Sequence, residues 1–266
     1  MKNALLVILA CIIGAALGAD CSAQDMPKLH LKESPSPEVA FAPFSESQFP
    51  AFGRVFAHAR AGLQPAAFVV SNQSARAVIG IAARWTVIKQ DGSKVHFWSS
   101  THTYLSSPPS PLAPAGARLL VAPETFVPES LVASGGGIIA LAPEPETVSK
   151  FTAASEIYAE VDCIIFADGE VVGPDQSQLV GEIQDRKAAV DVVLQQVHAA
   201  QASGENLSDA LSQLAISPIS EHNSVGKRAA QLAREVIRTQ HRDAFLSYLE
   251  GTPTPVSFYR KDGGPL

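Results

Sequence analysis

The run SEIYAEVDCIIFADG, Ser155 to Gly169, constrains this chain more than any other stretch. Ile157, Ala159, Val161, Cys163 and Ile165 alternate with Glu156, Tyr158, Glu160 and Asp162, the period of a half-buried strand. Toward its end the second face turns apolar as well, through Ile164 and Phe166. Burying such side chains is worth ~1.5–3 kcal/mol each. The end of the strand therefore needs a cover on both sides, and the sequence supplies one at once. Asp168-Gly169 reads as a turn, EVV as a brief return strand and Gly173-Pro174-Asp175 as a break, with Asp175 as helix N-cap. Leu179, Ile183, Val190, Val193, Leu194 and Val197 then fall at helical spacing and make one apolar stripe, closed by Gly204. The expected contact is this stripe lying over Ile164 and Phe166.

Upstream, the chain reads as strands. In AVIGIAARWTVIKQDG, Ile79, Ile81, Ala83, Trp85 and Val87 share the expected core face, and Asp91-Gly92 makes a tight turn into KVHFWSS. ARLLVAP and GGGIIALA are further strand candidates. Downstream, helices fit LSDALSQLAI and one long segment from Ser224 to Glu250, stopped by Gly251 and the prolines after it. Strands first and helices after is an α+β pattern, not the alternation of a doubly wound parallel sheet.

The segment VVSNQSARAVIGIAARWTVIKQDG, followed by PLAPAGARLLV, resembles the immunoglobulin-like modules of bacterial exported proteins. The residues that carry the resemblance are Asn72 and Ser74 in a turn between strands, Trp85 in the next strand, and Pro114 and Gly116 before a later one. It covers roughly a quarter of the chain and implies a β-sandwich with a buried tryptophan. It implies no activity, because that fold hosts many functions.

The N-terminus reads as an export signal. Lys2 precedes the apolar run Ala4 to Leu17, and small residues follow, with cleavage expected after Ala23 or after Gly18. Cys21 raises a lipoprotein reading, which Asp20 directly before it weakens. The expected location is extracytoplasmic, in the periplasm or secreted. About 240 residues would remain, enough for one large core without disulfide staples. Cys163 is then a lone thiol in an apolar strand, with nothing nearby to stabilise a thiolate. The formal net charge of -6 argues against a nucleic-acid binder, which needs clustered positive charge. No later segment is long and apolar enough for a membrane helix.

The motifs that resemble chemistry fail on spacing. An EF-hand with Gly173 at its sixth position puts Val172 and Leu179 where oxygen ligands belong, although Asp168 and Glu170 fit; with Gly169 there, Ile164 and Phe166 fail. Glu160 and Asp162, two apart on one strand face, mimic a glycosidase pair but read as solvated surface. Ser224 to Lys227, SVGK, lacks the companion elements of serine acyl-enzymes, and helix capping by Asn223 or Ser224 explains it. Ser134 to Gly137, SGGG, lacks the rest of a phosphate loop. His96 and His102 have no acidic partner between them. Asn72 and Asn206 begin glycosylation sequons, relevant only in a eukaryotic secretory host. Arg234, Arg238 and Arg242 recur every four residues and would line one helix face, a candidate contact for another exported protein or an acidic surface.

The expected organisation is a signal peptide over 1–23, a Pro/Ser-rich tether over 24–40, and an immunoglobulin-like antiparallel β-sandwich over 41–174. Two to three α-helices over 175–250 pack on the sandwich, and a flexible tail covers 251–266. No catalytic, cofactor or metal constellation survives the spacing checks. The expected role is a non-enzymatic binding or protein-interaction module. The alternative is an extracytoplasmic hydrolase whose site assembles only in three dimensions.

Overall fold

A computed structural model describes residues 27–56, 58–104, 110–134, 143–216, 223–251 and 257–266. The expected signal peptide, Cys21, the glycines 135–137 and the strand expected around 135–142 lie outside the described residues. Two mostly antiparallel sheets and several helices make an α+β fold. The first sheet has the order β1 (Lys28–Leu31), β8 (Ala154–Phe166), β4 (Val78–Lys89), β5 (Lys94–His102), with β9 (Val171–Val172) paired to the end of β8. The second has the order β2 (Val39–Pro43), β3 (Phe68–Asn72), β6 (Arg118–Ala122), β7 (Thr125–Pro128). Both sheets contribute to one apolar core. Trp85 from β4 is fully buried, lies 6.1 Å from the Phe68 ring of β3, and donates its indole N–H to the Ala66 carbonyl at 2.9 Å. Among the described residues no helix is long and apolar enough to cross a membrane.

The Asn-x-Ser turn after β3 is a structural knot. Asn72 Nδ2 donates to the carbonyls of Arg76, Ala113 and Pro114, and its Oδ1 accepts from the Ser74 amide and hydroxyl. The side chain is buried and its amide nitrogen fully engaged, so this sequon is closed to glycosylation in the folded chain. Asn206, by contrast, accepts from the Ser208 amide at 2.8 Å and caps the following helix.

β8 departs from the expected alternation at one residue. Ala82 faces Cys163 while Ala83 faces Val161, so Asp162 is an extra residue, a β-bulge. Beyond it the faces exchange: Ile164 and Phe166 enter the core between the sheets, and Cys163 and Ile165 point outward. A second register shift, between Val78 and Gly80, likewise turns Ile79 out of the main core. The helix cover is present, but over different residues. Leu179, Val180 and Ile183, opening α3 (Leu179–Ser203), pack on Ala82, Cys163, Ile165 and Val171. The expectation that Ile164 and Phe166 form the seam is thus corrected; one bulge inverts the parity of every residue after it.

The corner between β9 and α3 explains the bulge. Asp162 is buried, and its carboxylate accepts the amides of Gln176 at 3.1 Å and Ser177 at 2.8 Å. Asp175 accepts from Leu179 at 2.8 Å and Val180 at 3.2 Å, so it caps α3 from four residues upstream rather than from the position next to the helix. Gly173 has φ +98, and a Cβ there would meet the Asp162 carbonyl oxygen at 2.2 Å; only glycine fits. Asp168 and Glu170, the two residues of this stretch that fit ligand positions of a calcium loop, are both engaged by Arg76.

The helices after α3 pack on it through a second apolar cluster, including Val190, Val193, Val197, Leu211, Leu232 and Val236. They are α4 (Leu207–Ile216), α5 (Ser224–Arg238) and α6 (Arg242–Gly251). The single long helix expected from Ser224 to Glu250 is two, parted where Thr239 takes an extended conformation. Two short helices, α1 (Glu129–Ala133) and α2 (Pro145–Thr152), and two 3-10 helices, Pro50–Phe56 and His58–Ala66, had no periodic signal strong enough to be read.

The expected tether and tail both carry fixed structure. β1, inside 24–40, pairs parallel with β8, from Lys28 opposite Glu156 to Leu31 opposite Ala159. At the other terminus the Tyr259 carbonyl accepts from the Val171 amide at 2.9 Å. Arg76 ties these ends together. It donates to Glu38 and Asp168, each at 2.8 Å, and to Glu170, and its guanidinium lies 4.0 Å over the Phe166 ring. Lys261 adds contacts to Glu170 at 3.1 Å and Glu38 at 3.4 Å. The Arg76 guanidinium holds the Glu38 carboxyl below its usual range.

Candidate functional site: the outer face of the first sheet

Before the bulge, the side of the first sheet that faces away from the core is wet, and strand register arranges it in rows. Lys28, Glu156, Ile88 and Lys94 form one row, and His30, Tyr158, Thr86 and His96 the next. Glu160, Arg84 and Trp98 form a third, with Lys32 just past the end of β1 beside it. Beyond that row α3 seals the sheet. On β4 and β8 the open face therefore ends where the bulge begins.

The polar groups on this face are paired with one another. Glu160 accepts from Lys32 at 3.0 Å and pairs with Arg84 through its other oxygen. Tyr158 donates its hydroxyl to Glu156 at 2.7 Å and stacks on His30, the ring centroids 4.6 Å apart and the planes 12° from parallel. Thr86 bonds His96 at 3.0 Å. The Arg84 guanidinium lies 5.1 Å over the Trp98 ring. Trp98 and Tyr158 nevertheless stay 43% and 42% exposed, high for large aromatic groups on rigid strands.

Two hollows open on this face. The first, about 300 Å³, is lined by His30, Leu31, Lys32, Arg84, Thr86, Tyr158, Ala159 and Glu160. The second, about 310 Å³, is lined by Trp98, Ser99 and Ser100 from β5 and by Gln176, Ser177 and Gln178 from the corner. Arg84 lines the first and lies over Trp98, which lines the second, so the indole stands between them. The corner residues are held by the Asp162 and Asp175 carboxylates, which fixes the wall of the second hollow.

The residues singled out in the sequence are distributed differently. Glu160 and Asp162 do not form a pair, because the bulge turns Asp162 into the buried corner while Glu160 stays on the wet face. Glu160 lies between two cations and Tyr158 is held protonated, its pKa raised by the hydrogen bond to Glu156, so neither is set up as a free base or nucleophile. Burial drives the Cys163 thiol pKa far up, with Asp175 and Asp162 adding to it, and the thiol is inert. His96 and His102 both belong to β5 but sit apart. His102 is enclosed beside α3, its Nε2 3.9 Å from Glu182, and burial together with Arg186 lowers its pKa to about 4. Ser224 opens α5, where Asn223 accepts the Gly226 amide at 2.7 Å and is the cap. Among the described residues no group of three or more His, Cys, Asp or Glu is placed to hold a metal.

The Arg234, Arg238 and Arg242 face is divided between two helices. Thr239 separates Arg242 from the other two, so the three do not share one helix. Arg234 donates to the Ala215 carbonyl at 2.9 Å at the end of α4, and Arg242 to the Ile237 carbonyl at 3.4 Å. Both serve the carbonyl ends of neighbouring helices. The residues that sequence reasoning missed are Trp98, Arg84, Lys32 and His30; the only signal for them was their parity along the strands. Compared with known proteins, the chain matches no family model, no curated protein and no solved structure.

Proposed function

We propose that this is an exported, non-enzymatic binding module, and that its ligand seats on the wet face of the first sheet. The observation that carries the reading is the exposed pair Trp98 and Tyr158 with the half-buried Arg84 between them, placed on adjacent strands around two hollows. These are the residue types that dominate binding energy at interfaces, and rigid strands spare the entropy of ordering them. The two sheets are read as an immunoglobulin-like sandwich on the strength of the buried Trp85 and the Asn72–Ser74 turn. The parallel pairing of β1 with β8 is a departure from a purely antiparallel sandwich. The test is retention. Immobilised wild-type protein and an R84A/W98A/Y158A variant are exposed to the source organism's extracytoplasmic fraction, and bound protein and carbohydrate are identified by mass spectrometry. A ligand kept by the wild type and lost by an equally stable variant supports the reading; equal retention by both sinks it.

A second reading, an extracytoplasmic hydrolase, draws on the first hollow, which gathers Glu160, His30 and Tyr158. Against it stand the double pairing of Glu160 and the removal of Asp162 from the face. Turnover of any ester, glycoside or peptide that disappears in E160Q would favour it.

A further inference from the structure

Resting on that reading of the sheet face, we propose that the ligand is a neutral saccharide chain, with one sugar ring against Trp98 in the second hollow and its neighbours continuing into the first. The second hollow carries no ionisable side chain. Apart from the indole it offers the Ser100 and Ser177 hydroxyls and two glutamine amides, groups that both donate and accept, whereas Ser99, opposite Ala83, turns its hydroxyl to the other side of the sheet. Ser99 Oγ accepts from the Glu124 amide at 2.9 Å and Ser177 Oγ donates to Asp175 at 3.4 Å, while the side chains of Ser100, Gln176 and Gln178 make no hydrogen bond to the described residues.

A pyranose ring has the complementary chemistry. Its C–H bonds present an apolar face with positive edge character to the negative face of an aromatic ring, and its hydroxyls ring the periphery as donors and acceptors. The charges of the first hollow favour a neutral ligand. Lys32 and Arg84 converge on Glu160, and Glu156 is taken by Tyr158. A phosphate or sulfate group would have to share Lys32 and Arg84 with the Glu160 carboxylate, and an aliphatic chain would leave the serines and glutamines unpaired. Tyr158 stacked on His30 supplies a second flat aromatic surface in the first hollow, where a further ring can lie. The pinned corner fixes the backbone that carries the two glutamines, so only their side chains need ordering on binding.

The probes are cellohexaose, xylohexaose, mannohexaose and chitohexaose, titrated into the full mature chain by calorimetry and by tryptophan fluorescence. Of the two tryptophans, Trp85 is enclosed between the sheets and out of a ligand's reach, so a saturable blue shift reports Trp98. At least one probe is expected to bind, with an affinity little changed by salt. W98A is expected to weaken binding about tenfold or more in calorimetry, as a stacked interface anchor does, with an unchanged melting temperature. Q176A/Q178A is expected to weaken it by a smaller factor. No binding by any probe, or equal binding by wild type and W98A, overturns the saccharide assignment. Peptides selected by display on the wild type distinguish this failure from failure of the binding face. Peptides that need Trp98 and Tyr158 would leave the face standing with a different ligand, whereas no ligand of either class dependent on these residues would bring down both.

Discussion

Replacing Leu179 by alanine tests the seam on which the architecture turns. Leu179 is fully buried where α3 crosses Ala82, Cys163 and Ile165. Truncating such a leucine loses its transfer free energy and leaves a cavity, together ~2–5 kcal/mol. For a chain of this size each kcal/mol lowers the melting temperature by about 2–4 °C. The expected fall is therefore roughly 4–20 °C, the upper end applying if the site cannot collapse. Val192→Ala, at a half-exposed position on the same helix, is the control and should stay within about 0.5 kcal/mol. Melting is followed both by far-UV circular dichroism, which weights the helices, and by tryptophan fluorescence, which reports Trp85 between the sheets. Both signals should shift together in Leu179→Ala, because the seam joins the helices to the sheet. An unchanged melt would refute the reasoning. So would a helical signal lost in a separate, earlier transition with the tryptophan signal untouched.

Two other perturbations follow from the charges. His102 has a folded pKa of about 4, below its ordinary value, so folding favours its neutral form. Its contribution is fully present above pH ~6.5 and is lost as pH falls toward 4, by up to about 3 kcal/mol. In H102Q the urea midpoint should decline less over that window, and an identical decline in wild type and variant would contradict the assignment. Arg76→Ala leaves Glu170, whose side chain is 5% exposed, with Lys261 as its cationic partner among the described residues. Removing one partner of a buried pair costs ~3–5 kcal/mol, and adding E170Q should recover part of it in a double-mutant cycle; simple additivity would rule out the tie.

Much of the helical half was legible because its signals are local. The stripe from Leu179 to Val197, the Gly204 stop and the Leu207–Ile216 helix stand where the periodicity puts them. What lies under the stripe was not legible. Asp162 looks like one more outward polar residue in an alternating strand. Its role as a bulge depends on the Gly173 corner folding back onto it, a contact made fourteen residues along the chain with Gln176. The split at Thr239 carries neither glycine nor proline, so the pattern ran through it. β1 is four residues long and pairs with a strand far away in sequence, and nothing local distinguishes it from tether. The candidate site shows the same division. Tyr158 and Glu160 were readable as a wet face, but only the pairing of β4 with β5 brings Arg84 opposite Trp98, and only the corner brings the glutamines beside it.

Cys163 measures the central structural claim directly, because the bulge turns it outward and α3 then covers it. With Cys11 and Cys21 replaced by serine, it is the chain's sole thiol. A thiol reagent should modify it only as fast as the native protein unfolds, and faster in Leu179→Ala. Rapid labelling of the folded wild type would mean that the helix does not lie on the sheet, and the boundary of the proposed binding face would go with it.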